Sequence, residues 1–186
     1  MKHLPLIGFL FFTVSCKGKD MEVYRTAKPV GGAVDTAETM PPSGFPMPGA
    51  GSDLAWQPQP GWTAKPSGGI RFASFDVPTA KGKADLSVVV LEGDAGGVLA
   101  NVNRWRGQLG LPTIDEASLH RQAKPVSSTA GTLLTVDLVS ADGKSGILAS
   151  ILPKEGRTWF FKLTGSAAAV KAAKPSVLRF LGTLHR

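Results

Sequence analysis

Cysteine, histidine and tyrosine are scarce in this chain of 186 residues. It has one Cys, so neither a disulfide within the chain nor a zinc site built from cysteines is possible. It has three His, one at position 3 and one beside the C-terminus, which removes most His-based catalytic and metal classes. A single Tyr leaves few aromatic platforms for stacking bases. We therefore expect no metal, no cofactor and no nucleic-acid partner.

Acidic residues are also in deficit. The sequence has 14 Asp and Glu against 21 Lys and Arg, and its formal net charge of +7 favours acidic partners without naming one. Hydrophobic residues make up 42% of the chain and charged residues 19%, which allows a buried core and argues against global disorder. The length fits one domain with additional tails.

The first apolar run is too short to cross a bilayer as a helix. It covers 11 residues, Leu4 to Val14, whereas a spanning helix needs about 20. A basic start followed by such a run is typical of a secretory signal. The run is followed by Cys16, and Thr13-Val14-Ser15-Cys16 resembles the bacterial lipobox, with Thr13 where Leu is usual.

The lipobox resemblance implies that residues 1–15 are a signal peptide and that Cys16 becomes a lipidated N-terminus bearing acyl chains such as palmitate. The alternatives are an ordinary signal peptide with an incidental Cys16, or a buried N-terminal strand. A lipid-linked sulfur is inert, whereas a free thiol is reactive in an oxidising compartment. We therefore expect an exported lipoprotein bound to a membrane. Lys17 favours the outer membrane or the cell surface, by resemblance to enterobacterial sorting.

Residues 16–53 comprise the lipidated Cys and a Pro/Gly-rich segment. Residues 28–53 alone contain five Pro and five Gly and have no sustained period, which is typical of a linker. We predict a tether between the membrane anchor and a folded domain. The alternative is a docking peptide for an aromatic-lined groove. A single domain is expected over residues 54–186.

The first half of this domain predicts strands followed by two helices. Leu54-Ala55-Trp56 and Gly61-Trp62 flank a Pro-rich turn, and the order of elements opens with a strand. Residues 70–77 have the alternation of a strand, and the continuous apolar run of valines in residues 84–91 predicts a central strand covered on both faces. Val98 to Leu109 carries an apolar stripe at helical spacing. A second, short helix is expected to begin with Thr113 as its N-cap in a capping box.

The second half predicts an antiparallel meander and a final helix. Residues 131–139, 146–152 and 158–163 are separated by tight-turn signals. The final helix is expected to start with Ser166 as its N-cap, to run to about residue 173 and to restart at Pro175. The order βββααβββα predicts an α+β fold with an antiparallel sheet of about six strands flanked by helices.

Two resemblances accompany this element order. Trp56, the Pro60-Gly61-Trp62 turn, the three strands before a helical crossover, the meander and the final Phe180-Leu181 helix resemble the PsbP-like fold. This resemblance covers about residues 54–184 and implies an antiparallel sheet packed between helices. Residues 96–111 resemble a segment shared by bacterial exported proteins of unknown function, a family that implies no activity, ligand or catalytic residue.

The first predicted helix carries the candidate contacts with a ligand or partner. On a helical wheel Asn101, Arg104 and Gln108 share one flank, and Asn103 and Arg106 share the other. Their planar hydrogen-bonding groups suit recognition of carboxylate, phosphate or backbone. The alternative is structural, with Arg104 or Arg106 tying the helix to the sheet or to nearby loops.

A second candidate lies in the loop before this helix, where Asp94, Gly96 and Gly97 can hold an anion with free amides. The alternative is that Asp94 caps the helix. No catalytic set is recognisable: His120 is expected to cap or end a helix, and a nucleophile elbow is missing. We predict no catalytic residue and no metal ligand.

The sequence therefore predicts a lipid-anchored envelope protein without catalytic activity, an interaction or accessory module. Its expected partners are the membrane, through the lipid on Cys16, and an envelope protein or an acidic polymer. The alternative is a small-molecule-binding domain or a hydrolase with a site near residues 93–106. A deep pocket lined by Arg104 or Arg106 with a perturbed carboxylate would favour the alternative, and a flat polar face would favour the module.

Overall fold

The structure, a computed structural model, describes residues 54–57 and 59–186. Within these residues the chain forms one antiparallel sheet of seven strands and three helices. The predicted α+β class with helices flanking an antiparallel sheet is confirmed, and the sheet has one strand more than the six expected. The predicted signal peptide, the lipidation of Cys16 and the tether lie outside the described residues.

Along the chain the seven strands and three helices follow one another in the order βββααββββα. The strands are β1 (Thr63–Ala64), β2 (Arg71–Thr79), β3 (Gly82–Glu92), β4 (Lys124–Ser128), β5 (Gly131–Val139), β6 (Ser145–Lys154) and β7 (Arg157–Ser166). The helices are α1 (Val98–Gln108), α2 (Glu116–Gln122) and α3 (Ala167–Gly182). The strands lie side by side in the order β1-β2-β3-β7-β6-β5-β4, so β3, β7 and β6 are central.

Helix α3 covers one face of the sheet. Its Phe180 is 1% exposed, and its ring centroid lies 5.8 Å from that of Trp56, 6.2 Å from Phe75 and 6.0 Å from Phe161. The N-terminal segment, β2 and β7 therefore meet α3 in one aromatic cluster. None of the three helices in the described part of the chain is long and apolar enough to cross a membrane.

Helices α1 and α2 cover the opposite face. The predicted apolar stripe of α1 is buried there, with Trp105 edge-on to Phe160 of β7 at a centroid distance of 6.1 Å. Leu119 of α2 is buried in the same cluster. Because both faces are covered, the central strands are apolar on both sides, as the run of valines in β3 predicted.

Strand β4 is not predicted by the sequence pattern. This strand pairs only with β5 and forms one edge of the sheet. Its second residue is Pro125, which has no backbone N–H and is tolerated in edge strands for that reason. A short exposed strand with one proline carries little of the alternating pattern on which strand prediction depends.

The N-cap differs from the expected residue in α2 and agrees with it in α3. Asp115, and not Thr113, is the N-cap of α2, and its Oδ1 accepts from the backbone N–H of Ser118 at 2.8 Å. Ser166 is confirmed as the N-cap of α3, with its Oγ accepting from the N–H of Ala169 at 3.2 Å. The N-cap is the residue at which the backbone changes from extended to helical. The sequence does not show whether this change occurs at Thr113 or at Asp115.

Helix α3 continues through Pro175 and does not restart there. A proline inside a helix removes one N–H and crowds the carbonyl four residues earlier. Ala173 and Val177, on either side of the proline, are both buried against the same sheet face. Packing of the whole helix on the sheet therefore outweighs the local preference for a break.

Candidate functional site

Asn101 of α1 uses its side chain inside the protein. It is 3% exposed. Its Nδ2 donates to the carbonyl oxygens of Ala95 and Gly97 at 2.9 and 2.7 Å, and its Oδ1 accepts from Arg104 Nη1 at 2.8 Å. Asn101 thus holds the loop before α1 against the helix and positions Arg104.

On the other flank, Asn103 and Arg106 bind the connection between α1 and α2. Asn103 Nδ2 donates to the carbonyl of Ile114 at 3.0 Å, and Asn103 Oδ1 accepts from the N–H of Ile114 at 2.8 Å. Arg106 Nε donates to the carbonyl of Pro112 at 2.7 Å. Asn103 and the Nε of Arg106 therefore have a structural role, holding this connection against α1.

The candidate anion loop uses its glycine amides internally. The N–H of Gly96 donates to Asp94 Oδ1 at 3.1 Å, and that of Gly97 donates to the Asp94 carbonyl at 2.9 Å. Gly97 is the N-cap of α1 and no side chain caps the helix, so Asp94 turns the loop and is not a cap. The loop borders a cavity of 530 Å³ whose opposite wall includes Pro153 and Phe160. An anion bound by these amides would have to displace the internal bonds.

A second cavity, of 300 Å³, lies between α1 and the sheet beside β3 and β7, and we call it the α1 groove. Its lining residues are Ile70, Arg71, Ser87, Val89, Leu91, Asn101, Arg104, Trp105, Gln108, Phe160 and Lys162. Three of these residues are cationic, namely Arg71, Arg104 and Lys162, and the other eight are uncharged. None of the described residues that line it is acidic.

Lys162 is the most constrained of the three cations. It is half-buried on β7, and its Nζ donates to Gln108 Oε1 at 3.1 Å. Burial and then the charge of Arg71 lower the pKa of Lys162 from its ordinary value, and Asp85 opposes them only in part. Within residues 54–57 and 59–186 no carboxylate forms an ion pair with it. Its ammonium is thus desolvated against a neutral amide.

Arg104 and Arg71 complete the cationic lining. Arg104 is exposed, and the oxygen that accepts from it is the amide of Asn101. Arg71 Nη1 lies 3.0 Å from Asp85 Oδ2, in an ion pair. Two of the three cations, Lys162 and Arg104, therefore face the groove with amide oxygens as their hydrogen-bond acceptors.

The carboxylates nearest the groove are already shared between cations. Lys65 Nζ lies 2.8 Å from Asp85 and 3.1 Å from Asp76, and Lys83 lies 3.3 Å from Asp76. Hydrogen bonds from Lys65 and Lys83 lower the pKa of Asp76. Burial alone would raise the pKa of Asp85, but hydrogen bonds from Lys65 and Arg71 outweigh it and lower that pKa. Asp85 thus neutralises Arg71 at the groove, whereas neither carboxylate forms an ion pair with Lys162 or Arg104 within the described residues.

Arg104 and Gln108 were predicted from the sequence as candidate contacts, whereas Lys162 and Arg71 were not. The alternation in β7 places Lys162 on the face opposite Trp159, which is a signal the sequence does contain. It does not show which helix lies over that face, because Lys162 and Gln108 are 54 positions apart. The groove is a product of tertiary structure and has no local motif.

His120 lies in the last turn of α2, as expected, with its Nε2 3.6 Å from Glu116 Oε1 at the surface. The described residues contain no group of three or more His, Cys, Asp or Glu that could hold a metal ion. Neither His120 nor Glu116 lines the α1 groove.

By its fold, the described chain is an α+β protein with a single antiparallel sheet covered by helices on both faces. No protein-family model matches the chain, and no curated protein matches it significantly. Solved structures similar to it include a Bacteroides thetaiotaomicron protein at 12% identity and a TM-score of 0.42, covering 72% of this chain and 45% of that one. The chain thus spans less than half the length of that protein.

Two further solved structures are similar at low identity. One is CyanoP, the cyanobacterial PsbP of Synechocystis, at 18% identity and a TM-score of 0.43, covering 72% of this chain and 86% of that one. The other is LpqN, involved in cell envelope biogenesis of Mycobacterium tuberculosis, at 12% identity and a TM-score of 0.37, covering 72% and 83%.

Proposed function

We propose that the protein is a non-catalytic binding module, held at a membrane of the cell envelope by a lipid on Cys16, that binds an anionic ligand in the α1 groove. The observation that carries the proposal is Lys162, a half-buried ammonium whose hydrogen-bond acceptor is the neutral amide of Gln108. A partly desolvated ammonium is less stable beside a neutral acceptor than beside an anion. An anion bound beside Lys162 would offset that cost.

Arg104 supports the same conclusion. Its guanidinium is held by Asn101 Oδ1 at 2.8 Å on the wall of the groove, and its remaining N–H groups suit a carboxylate or a phosphate. The volume of 300 Å³ is at the lower end of ligand pockets, which favours a small ligand over a polymer. An acidic polymer or an acidic envelope protein is the alternative occupant.

The groove geometry does not support hydrolysis. Its hydroxyl group, that of Ser87, donates to the backbone carbonyl of Lys162 at 3.2 Å. The Nζ of Lys162 is bonded to Gln108 and not to that hydroxyl. The contact between nucleophile and base that covalent catalysis needs is therefore not formed.

The variant with Arg104→Gln and Lys162→Gln is expected to bind small anions at least about tenfold more weakly, because each charged hydrogen bond contributes about 1.5–3 kcal/mol. The measurement is calorimetric titration of residues 16–186, carrying Cys16→Ser, with hexanoate and with inorganic phosphate. Both substituted residues are partly exposed, so folding is expected to be retained.

The matched control changes Lys171→Gln and Arg179→Gln. Both residues are exposed on α3, on the opposite face of the sheet, and the control removes the same charge. It is expected to leave anion affinity unchanged. An equal loss in both variants would show general charge attraction and would contradict a defined groove, and so would a parent protein that binds neither anion.

Cys16→Ser is expected to move the full-length protein from the membrane fraction to the soluble fraction, because several acyl chains are needed for stable anchoring and the serine accepts none. The measurement is fractionation of the producing cells together with metabolic labelling by palmitate. A labelled wild-type protein and an unlabelled, soluble variant are expected. Unchanged membrane association of an unlabelled variant would overturn the anchoring mechanism.

A further inference from the structure

The α1 groove is cationic at one end and apolar at the other. In the pairing of β3 with β7, Ser87 lies opposite Lys162 and Val89 lies opposite Phe160, and Leu91 follows two residues further along β3. Residues two apart on a strand share a face and are about 7 Å apart. The groove therefore extends about 13 Å from the Lys162 end to the Leu91 end.

Helix α1 runs along the groove with its C-terminal end at Lys162. Gln108, near its C-terminal end, bonds Lys162 at 3.1 Å and so lies at the cationic end. Asn101, seven residues earlier, is about 10 Å away at a rise of 1.5 Å per residue. Arg104 lies between these two residues and has Asn101 Oδ1 as its acceptor. Lys162 therefore lies at the Gln108 end, and the guanidinium of Arg104, bonded to Asn101, lies further along the wall of the groove.

The far end of the groove presents apolar side chains to solvent. Ile70 is 71% exposed and Leu91 is 37% exposed. They are two of the three large hydrophobic side chains that are exposed among the described residues, the third being Val139. Covering apolar surface is favourable by about 25 cal/mol per Å². An apolar group of a ligand that reaches this end would contact both side chains.

We propose that the ligand of the α1 groove is a small amphipathic anion, a carboxylate or phosphate carried on an alkyl chain. The anionic head lies at Lys162, on the side of the groove that Arg104 lines, and the chain passes Phe160 towards Leu91 and Ile70. This inference rests on the proposed function, because it names the chemical class of the anion that the groove binds. A length of about 13 Å accommodates a chain of medium length.

The test compares ligands that differ in one property at a time. Residues 16–186 carrying Cys16→Ser are titrated by calorimetry with inorganic phosphate, hexanoate, decanoate and the neutral decanamide. Affinity is expected to rise from hexanoate to decanoate by about fourfold for each methylene that the groove buries. Decanamide is expected to bind at least about tenfold more weakly than decanoate, because it lacks the charge that Lys162 and Arg104 bind.

Variants at the apolar end separate the chain from the head. Ile70→Ser with Leu91→Ser is expected to abolish most of the gain from hexanoate to decanoate and to leave phosphate binding within about twofold. Both residues are exposed, so the fold is expected to tolerate the change. Val139→Ser, at the third exposed hydrophobic residue on β5, is the matched control and is expected to retain the full gain.

Each outcome has one interpretation. A gain with chain length that Ile70→Ser and Leu91→Ser remove supports the inference. Equal affinities for hexanoate and decanoate would overturn it and leave the proposed function standing. Binding of neither phosphate nor either carboxylate would overturn both. Binding to vesicles of anionic phospholipid, with none to free decanoate, would replace the small ligand by a membrane surface and overturn the inference.

Discussion

Phe180→Ala is expected to lower the free energy of unfolding by about 3–5 kcal/mol. The Phe180 ring is 1% exposed and contacts Trp62 at a centroid distance of 5.2 Å and Phe161 at 6.0 Å. Its removal leaves a cavity where α3 meets the sheet, and the edge-to-face aromatic contacts are lost with the buried area. The measurement is urea denaturation followed by circular dichroism.

Arg179→Ala is the control for this substitution. Arg179 is the exposed neighbour of Phe180 on the same helix turn, and its truncation is expected to change the unfolding free energy by no more than about 0.5 kcal/mol. A loss below about 1 kcal/mol for Phe180→Ala would mean that the aromatic cluster relaxes around the gap. Phe180 would then not be the residue that fixes α3 on the sheet.

Asn101→Ala is expected to lower the unfolding free energy by about 1–3 kcal/mol, because the part-buried carbonyl of Ala95 loses the Nδ2 group that donates to it. Asn101 Nδ2 bonds the carbonyl of Ala95, whose φ of 50° is left-handed. A left-handed backbone conformation costs an L-residue about 1–2 kcal/mol. The hydrogen bond from Asn101 to Ala95 helps to hold the loop in this conformation. The substitution is also expected to weaken hexanoate binding several-fold, because Arg104 loses the acceptor that positions it.

Asn103→Ala is the matched control for the binding effect. It removes two hydrogen bonds between the other flank of α1 and Ile114. Like Asn101→Ala, it is therefore expected to destabilise the protein through the loss of side-chain hydrogen bonds to the backbone. Because Asn103 does not contact Arg104, hexanoate affinity is expected to stay unchanged. Chemical denaturation and calorimetric titration of both variants provide the comparison. Equal effects of the two variants on affinity would contradict a specific role of Asn101.

Local patterns in the sequence predicted most of the fold. The apolar stripe of α1 and the alternation of Trp159 and Phe161 in β7 each depend on residues close in the chain, and both elements form as predicted. The turn Glu155-Gly156 has φ values of 51° and 74°, the left-handed pair that a two-residue hairpin needs. The misjudged features, β4 and the continuation of α3 through Pro175, depend on packing against elements far away in sequence.

The candidate site was predictable only in part. The sequence indicated the polar residues of α1, but their roles depend on what each one meets. Asn103 and Arg106 meet a loop, Asn101 meets the turn before the helix, and Arg104 faces the α1 groove. Lys162 enters this set only because the sheet order places β7 beneath α1. The periodicity of residues along one helix or strand does not show that Lys162 lies beside Gln108.

The two edges of the sheet limit how copies of the protein meet one another. Within the described chain one edge is β1, only two residues long, and the other is β4, where Lys124 and Pro125 are exposed. A short edge, a charged side chain and a residue without an N–H all hinder strand addition by a neighbouring molecule. The two edge strands therefore offer a neighbouring copy little backbone with which to extend the sheet, and this hinders edge-to-edge aggregation of the folded domain.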